Sequence, residues 1–215
     1  MKTNKKKVAI IGTNGVPAKY GGFETLTEYI TKELGNEFDF TVYCSNIYKK
    51  EDRIKLYNKS KLIYLPLKAN GFQSILYDIL STFHAWFKSD ILLILGPAAG
   101  FILPLNIFFK KKIITNHGGL NEWEREKLSF FQRNYAYLNH KIAGLNSDKN
   151  ISDNLPLNKS LFNSFKSNGG NARKIVKFET LIREIIENVG NYLAQTILCI
   201  NRALDNQFSR PDLPG

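Results

Sequence analysis

Short apolar runs alternate with longer amphipathic stretches along this chain. Continuous apolar runs occur at residues 8–11, 40–44, 62–65, 91–95 and 113–115, each bounded by polar or turn-forming residues. Runs of that length without polar alternation suit strands buried on both faces. Between them, residues 23–34, 72–87 and 123–142 carry apolar side chains at helical spacing, the pattern of helices with one buried face. Strand alternating with helix predicts an α/β fold, a Rossmann-like, doubly wound parallel sheet with helices on both faces. Residues 91–109 test that parse, because nineteen residues without a charge are long enough to span a bilayer. Gly96, Pro97 and Gly100 break the run, so it reads as strand, loop and buried helix.

After residue 154 the pattern changes. Residues 155–172 are rich in Asn, Ser, Gly and Lys and read as a linker. Helical spacing resumes over 173–188 (Ile175, Phe178, Leu181, Ile182, Ile185, Ile186) and 192–204. The expected organisation is a sheet domain over 1–154, the linker, and a helical tail over 173–215.

Composition narrows the compartment and the partners. A chain of 215 residues with 43% hydrophobic side chains can bury a sizeable core. The cysteines, Cys44 and Cys199, have no paired spacing, which points away from a disulfide framework or zinc site and towards a reducing cytoplasm. The basic start at residues 1–7 precedes only four apolar residues before Gly12, too few for a signal peptide. A net charge of +11 suits anionic partners, yet no nucleic-acid module is recognisable. The lysines cluster at the ends of predicted elements, as in a solvated surface, with an anionic membrane surface as the alternative.

Two segments depart from packing rules. Residues 12–25 hold Gly12, Asn14, Gly15, Gly21 and Gly22 between an apolar run and a helical pattern, a setting in which loop amides and a helix N-terminus favour an anion. No Walker ending is present, and Pro17 stands where a dinucleotide-binding helix would start. Glu24 falls in the first helical turn. The second segment is His117, followed by Gly118 and Gly119 directly after a strand-like run. A histidine there is expected at the exposed rim of the sheet, sharing a cleft with the first loop and with the turn at Gly96. His84 and His140 lie within predicted helices and read as structural.

These residues resemble a known family. The loop at 12–25, the turn at Gly96 and the stretch from Gly118 to Arg125 look like the N-terminal, acceptor-side domain of bacterial rhamnosyltransferase-type retaining glycosyltransferases with the GT-B fold. The resemblance covers about residues 6–154 and ends in a segment that looks like the family's sixth strand, where Asn150 replaces an expected apolar residue. It implies transfer of a hexose or rhamnose-like deoxyhexose from a nucleotide sugar to a saccharide or lipid-linked acceptor in cell-surface polysaccharide synthesis, without metal or further cofactor. It also implies that Gly12, Asn14, Gly15, Gly21 and Gly22 form the donor-phosphate loop and that His117 is the catalytic residue near the reacting carbon. Tyr20, Glu24, Gly118, Gly119, Glu122 and Arg125 would contact the acceptor.

The family's second domain, which grips the donor, has no counterpart in the sequence. Glu179 and Glu187 have the spacing of its glutamate pair, but no strand or glycine loop precedes them. The chain therefore reads as an acceptor half without its donor half: a truncated gene product, a split enzyme with a separate donor-domain chain as partner, or a catalytically silent domain. A location in the cytoplasm, peripheral on the inner membrane face, would follow. The alternative is an NAD(P)-binding oxidoreductase or epimerase, which needs an acidic residue at the end of the second strand; Cys44, Ser45 and Asn46 stand there instead.

Overall fold

The computed structural model describes residues 5–19, 21–118, 129–152 and 175–177. They form an eight-stranded sheet within a compact unit that spans Met1–Lys177. In chain order the elements are β1 (Lys7–Ile11), α1 (Gly22–Leu34), β2 (Asp39–Cys44), β3 (Leu56–Tyr57), β4 (Ser60–Tyr64), α2 (Gln73–Lys88), β5 (Ile91–Leu95), α3 (Asn106–Phe109), β6 (Lys112–Asn116), α4 (Phe130–Asn146), β7 (Lys149–Ser152) and β8 (Ile175–Lys177). The sheet order is β3-β4-β2-β1-β5-β6-β7-β8, and every pair is parallel except β3 with β4. The doubly wound, Rossmann-like arrangement expected from the alternating pattern is present. β1 lies between β2 and β5, at the point where the chain reverses its direction of travel across the sheet.

Alternation along the strands builds two cores. Val8 and Ile10 of β1 join Val42, Leu62 and Leu93 under Phe23, Leu26, Ile30 and Leu34 of α1. Ala9 and Ile11 point the other way and join Leu92, Ile94 and Ile113 under α2 (Tyr77, Ala85, Trp86) and Ala143 of α4. Successive strand side chains face opposite sides, so a strand with helices above and below must be apolar throughout. That is why the buried runs lacked a polar rhythm.

Four boundaries differ from expectation. The run 91–109 is a strand followed by a 3-10 helix (Gly100–Leu105) and the short α3, and among the described residues no helix is long and apolar enough to cross a membrane. It is not the buried helix predicted, since Phe101, Leu105, Ile107 and Phe108 are exposed. β3 was not anticipated; its hairpin to β4 turns through Asn58 and Lys59, both at positive φ, as a two-residue hairpin requires. α4, expected over 123–142, begins at Phe130, where the Ser129 hydroxyl caps the Gln132 amide and the Gln132 side chain returns the bond; residues 119–128 lie outside the described set. Finally, Ile175–Lys177 is a strand pairing with β7, so the sheet extends past residue 154 and the segment 173–188 is not helical throughout. Three residues are too few for periodicity to separate strand from helix. The remainder of the predicted linker and tail lies outside the described residues.

Candidate functional site

The carboxyl ends of β1, β5 and β6 form one rim, and their loops meet there. β1 leads into Gly12, whose φ is +86 and whose added Cβ would stand 2.1 Å from the Leu95 carbonyl oxygen. Only glycine permits that approach of β1 to the end of β5. Beyond it, Gly15 packs on Cys44, leaving 2.6 Å between an added Cβ and Sγ. The Val16–Pro17 bond is cis, and the Tyr48 hydroxyl donates to the Pro17 carbonyl at 2.9 Å.

Glu24 organises the loop from inside. It is buried, and its Oε1 accepts from the backbone N–H and the side-chain amide of Asn14 at 2.8 and 2.9 Å. Ser45, just past β2, donates its backbone N–H to the Asn14 carbonyl at 2.9 Å and its hydroxyl to Asn14 Oδ1 at 3.1 Å. Asn14, expected as a donor-phosphate contact, is therefore held on three sides by protein groups. Gly21 also answers to Glu24: its φ is +117, and an added Cβ would collide with Oε2 at 2.0 Å. Gly22 differs, being exposed with nothing within 4 Å of an added Cβ. α1 starts at Gly22 with no side-chain cap, so its first amides face the rim.

Phe23 ties the three segments together. Its ring lies 3.2 Å from the Cβ position of Gly96 and 3.6 Å from that of Gly118. The Gly96 N–H donates to the Asn116 carbonyl at 2.9 Å, and the Gly118 N–H donates to Asn116 Oδ1 at 2.8 Å. The first glycine loop, the Gly96 turn and the His117 segment thus share one rim, as the alternation of elements had implied. Neither Phe23 nor Asn116 was singled out from sequence, where each reads as an ordinary element-end residue.

His117 itself corrects the expectation of an exposed group. It is 1% exposed. Its Nδ1 lies 2.9 Å from Nδ1 of His140, and its Nε2 lies 2.9 Å from Asn150 Oδ1. The Asn150 amide nitrogen donates to the Gly144 carbonyl at 3.0 Å, which leaves Oδ1 as the acceptor facing His117. Nε2 therefore carries the proton, Nδ1 accepts, and His140 donates from Nδ1. Burial first and the neighbouring His140 second bring the His117 pKa down to about 3, with the Asn150 bond working in the opposite direction. A neutral imidazole with both nitrogens engaged by α4 and β7 positions the end of β6 and donates no proton to a ligand in this arrangement. His140, read as a structural helix residue, is its partner; the signal that could have found the network was the polar Asn150 in an apolar strand position.

Tyr20, Gly119, Glu122 and Arg125 lie outside the described residues. Cys44 is buried and unpaired, and burial raises its thiol to about 11. Desolvation also raises the buried Asp78 carboxyl well above its ordinary value, with the Ala98 N–H bond partly offsetting it.

Among solved structures, the chain is similar to Arabidopsis thaliana UGT89C1 complexed with UDP, at 13% identity and a TM-score of 0.46, covering 80% of this chain and 51% of that one. The same protein complexed with quercetin gives 15% identity and 0.46, covering 80% and 50%. Its complex with UDP-L-rhamnose gives 15% identity and 0.45, covering 81% and 49%. The chain spans about half the length of these proteins. A comparison with curated proteins found no match. A family model described as Domain of unknown function (DUF1972) matches residues 5–180, most of the chain, and the protein belongs to that family.

Proposed function

We propose that this chain forms the acceptor-side wall of a sugar-transfer cleft, as a glycosyltransferase or the N-terminal half of one. The donor is a nucleotide sugar carrying a hexose or a rhamnose-like deoxyhexose, and the acceptor is a saccharide or lipid-linked saccharide at the cytoplasmic membrane face. One observation carries the reading: the uncapped start of α1 at Gly22, the Phe23 ring and the Asn116–Gly118 turn converge where β1 meets β5. Ligands in doubly wound sheets bind at that reversal of strand order. The first amides of α1 offer a diphosphate hydrogen bonds and the positive end of a helix dipole. Stabilising charge on the departing phosphate is the electrostatic contribution such a wall can make.

The loop chemistry favours this over a dinucleotide-binding role. In a dinucleotide fold the first glycine turn cradles a pyrophosphate and an acidic residue after the second strand holds a ribose. Here Glu24 takes up the Asn14 N–H, Cys44 fills the space beside Gly15, and Ser45 closes the end of β2 onto the loop. Among the described residues of the loop, the outer amides at Gly21 and Gly22 remain suited to an anion. In this reading His117 acts as a positioning residue for the Gly118 turn, and the acceptor contacts come from Tyr20, Glu122 and Arg125.

The test is transfer itself. The full chain would be incubated with nucleotide-activated rhamnose and a lipid-linked saccharide, alone and with a separately expressed donor-domain chain, while acceptor mass is followed. Sugar addition supports the proposal; none in either mixture favours a catalytically silent domain. Alone, the chain is expected to bind nucleotide sugar weakly, and calorimetry giving micromolar affinity would overturn the one-wall account. Binding of a nicotinamide cofactor would restore the oxidoreductase reading.

A further inference from the structure

We propose that the outer side of α2 and α3, with the lysines along the adjoining edge of the sheet, docks on an anionic lipid bilayer. α2 is packed in an unusual sense: it buries Asp78, Ser81 and Thr82 together with Tyr77, Ala85 and Trp86. It turns Leu76, Leu80, Phe83 and Phe87 outward, with Phe87 71% exposed. α3 adds Ile107 at 72% and Phe108 at 80%. The two helices meet through Phe109, whose ring stacks on Trp86 at 4.5 Å and lies edge-on to Phe87 at 5.2 Å. Scattered exposed apolar side chains are ordinary, whereas a continuous patch marks an interaction surface.

Charge identifies the occupant. Lys88 directly follows Phe87, and Lys110, Lys111 and Lys112 directly follow Phe109. β1, β5 and β6 are neighbours in the sheet, so Lys7, at the start of β1, and Lys112, at the start of β6, lie along the same edge as the end of α2. Between residues 68 and 112 the only carboxylates are Asp78 and Asp90. Asp78 is buried, and Asp90 Oδ2 accepts from the Lys7 backbone N–H at 2.9 Å. Apolar side chains rimmed by lysines match an interface of acyl chains below anionic headgroups; Asp39, in register with Lys7, and Asp148, whose Oδ2 accepts from the Ile113 N–H at 2.8 Å, are exposed carboxylates further along the same edge.

The proposal rests on the sugar-transfer reading only for the expectation of a lipid-linked acceptor, and its test contains neither donor nor acceptor. The full chain would be sedimented with phosphatidylglycerol vesicles and with phosphatidylcholine vesicles at low and high salt. Binding is expected on phosphatidylglycerol alone, weakening with salt. Lys110→Gln and Lys112→Gln should each weaken partitioning about fivefold, and Phe108→Ser about tenfold. Lys32→Gln, exposed on α1, which packs in the core on the opposite side of the sheet from α2, should change little. These positions are at the surface, and thermal melts would verify that each variant folds. Equal binding to both vesicles, binding to neither, or indifference to Phe108→Ser would each overturn the proposal. So would a dimer in solution that Phe87→Ser together with Phe108→Ser dissociates while vesicles go unbound.

Discussion

The Asn150 side chain, in β7, sets the protonation of His117, at the end of β6. Its Oδ1 faces His117 Nε2 at 2.9 Å because its amide nitrogen is committed to the Gly144 carbonyl. One carboxamide thus links β6, β7 and α4 and orients the residue before the Gly118 turn. A leucine would satisfy the apolar pattern of a buried strand, yet it would leave the His117 N–H and the Gly144 carbonyl without this partner.

Asn150→Leu is therefore expected to destabilise the protein by about 2 kcal/mol, the cost of leaving buried polar groups unsatisfied. Urea denaturation, read as a lower midpoint at unchanged slope, checks it. A variant as stable as the parent would mean that the network contributes nothing net.

The same site predicts acid sensitivity. His117 has an ordinary pKa of 6.5 that folding lowers to about 3, so between those values the unfolded chain binds a proton that the folded one does not. The contribution is fully present above about pH 6.5 and is lost as pH falls towards 3, at about 1.4 kcal/mol per unit. Unfolding free energies at pH 7 and pH 5 should fall by roughly 2 kcal/mol more in the parent than in His117→Gln. Equal losses would contradict the assignment.

Adjacent glycines should behave differently. At Gly21 the φ of +117 and the 2.0 Å clash with Glu24 make Gly21→Ala costly, by about 2 kcal/mol. Gly22 has open space around it, so Gly22→Ala should leave stability within about 0.5 kcal/mol. If the proposed diphosphate contact is right, the second variant weakens nucleotide-sugar binding without lowering the melting temperature.

Glu24→Ala removes the acceptor for both Asn14 donors. Bonds to a charged acceptor are worth about 1.5–3 kcal/mol, and a loss in that range is expected. Amide hydrogen exchange should rise at Asn14 while α2 and β5 stay protected; uniform acceleration would instead indicate global destabilisation.

The sequence by itself determined the strand-helix alternation, because the pattern of buried side chains follows directly from which faces of a strand or helix meet the core. Residues 8–11, 40–44 and 91–95 could be placed as doubly covered strands for that reason, and β1, β5 and β6 then had to end on one rim. The glycine loop at 12–25 was legible as a site of close approach, and its resemblance to one enzyme family came from local residue order alone. Tertiary structure decided what those residues do. Glu24 and His117 both looked available in sequence, where a polar group in a first helical turn or after a strand reads as exposed. The fold turns Glu24 onto Asn14 and encloses His117 between His140 and Asn150, partners 23 and 33 residues away. The outward side of α2 was equally hidden, because helical spacing marks an apolar stripe without saying whether the core or the solvent receives it. Here the core took Asp78, Ser81 and Thr82, and the leucines and phenylalanines were left for another surface.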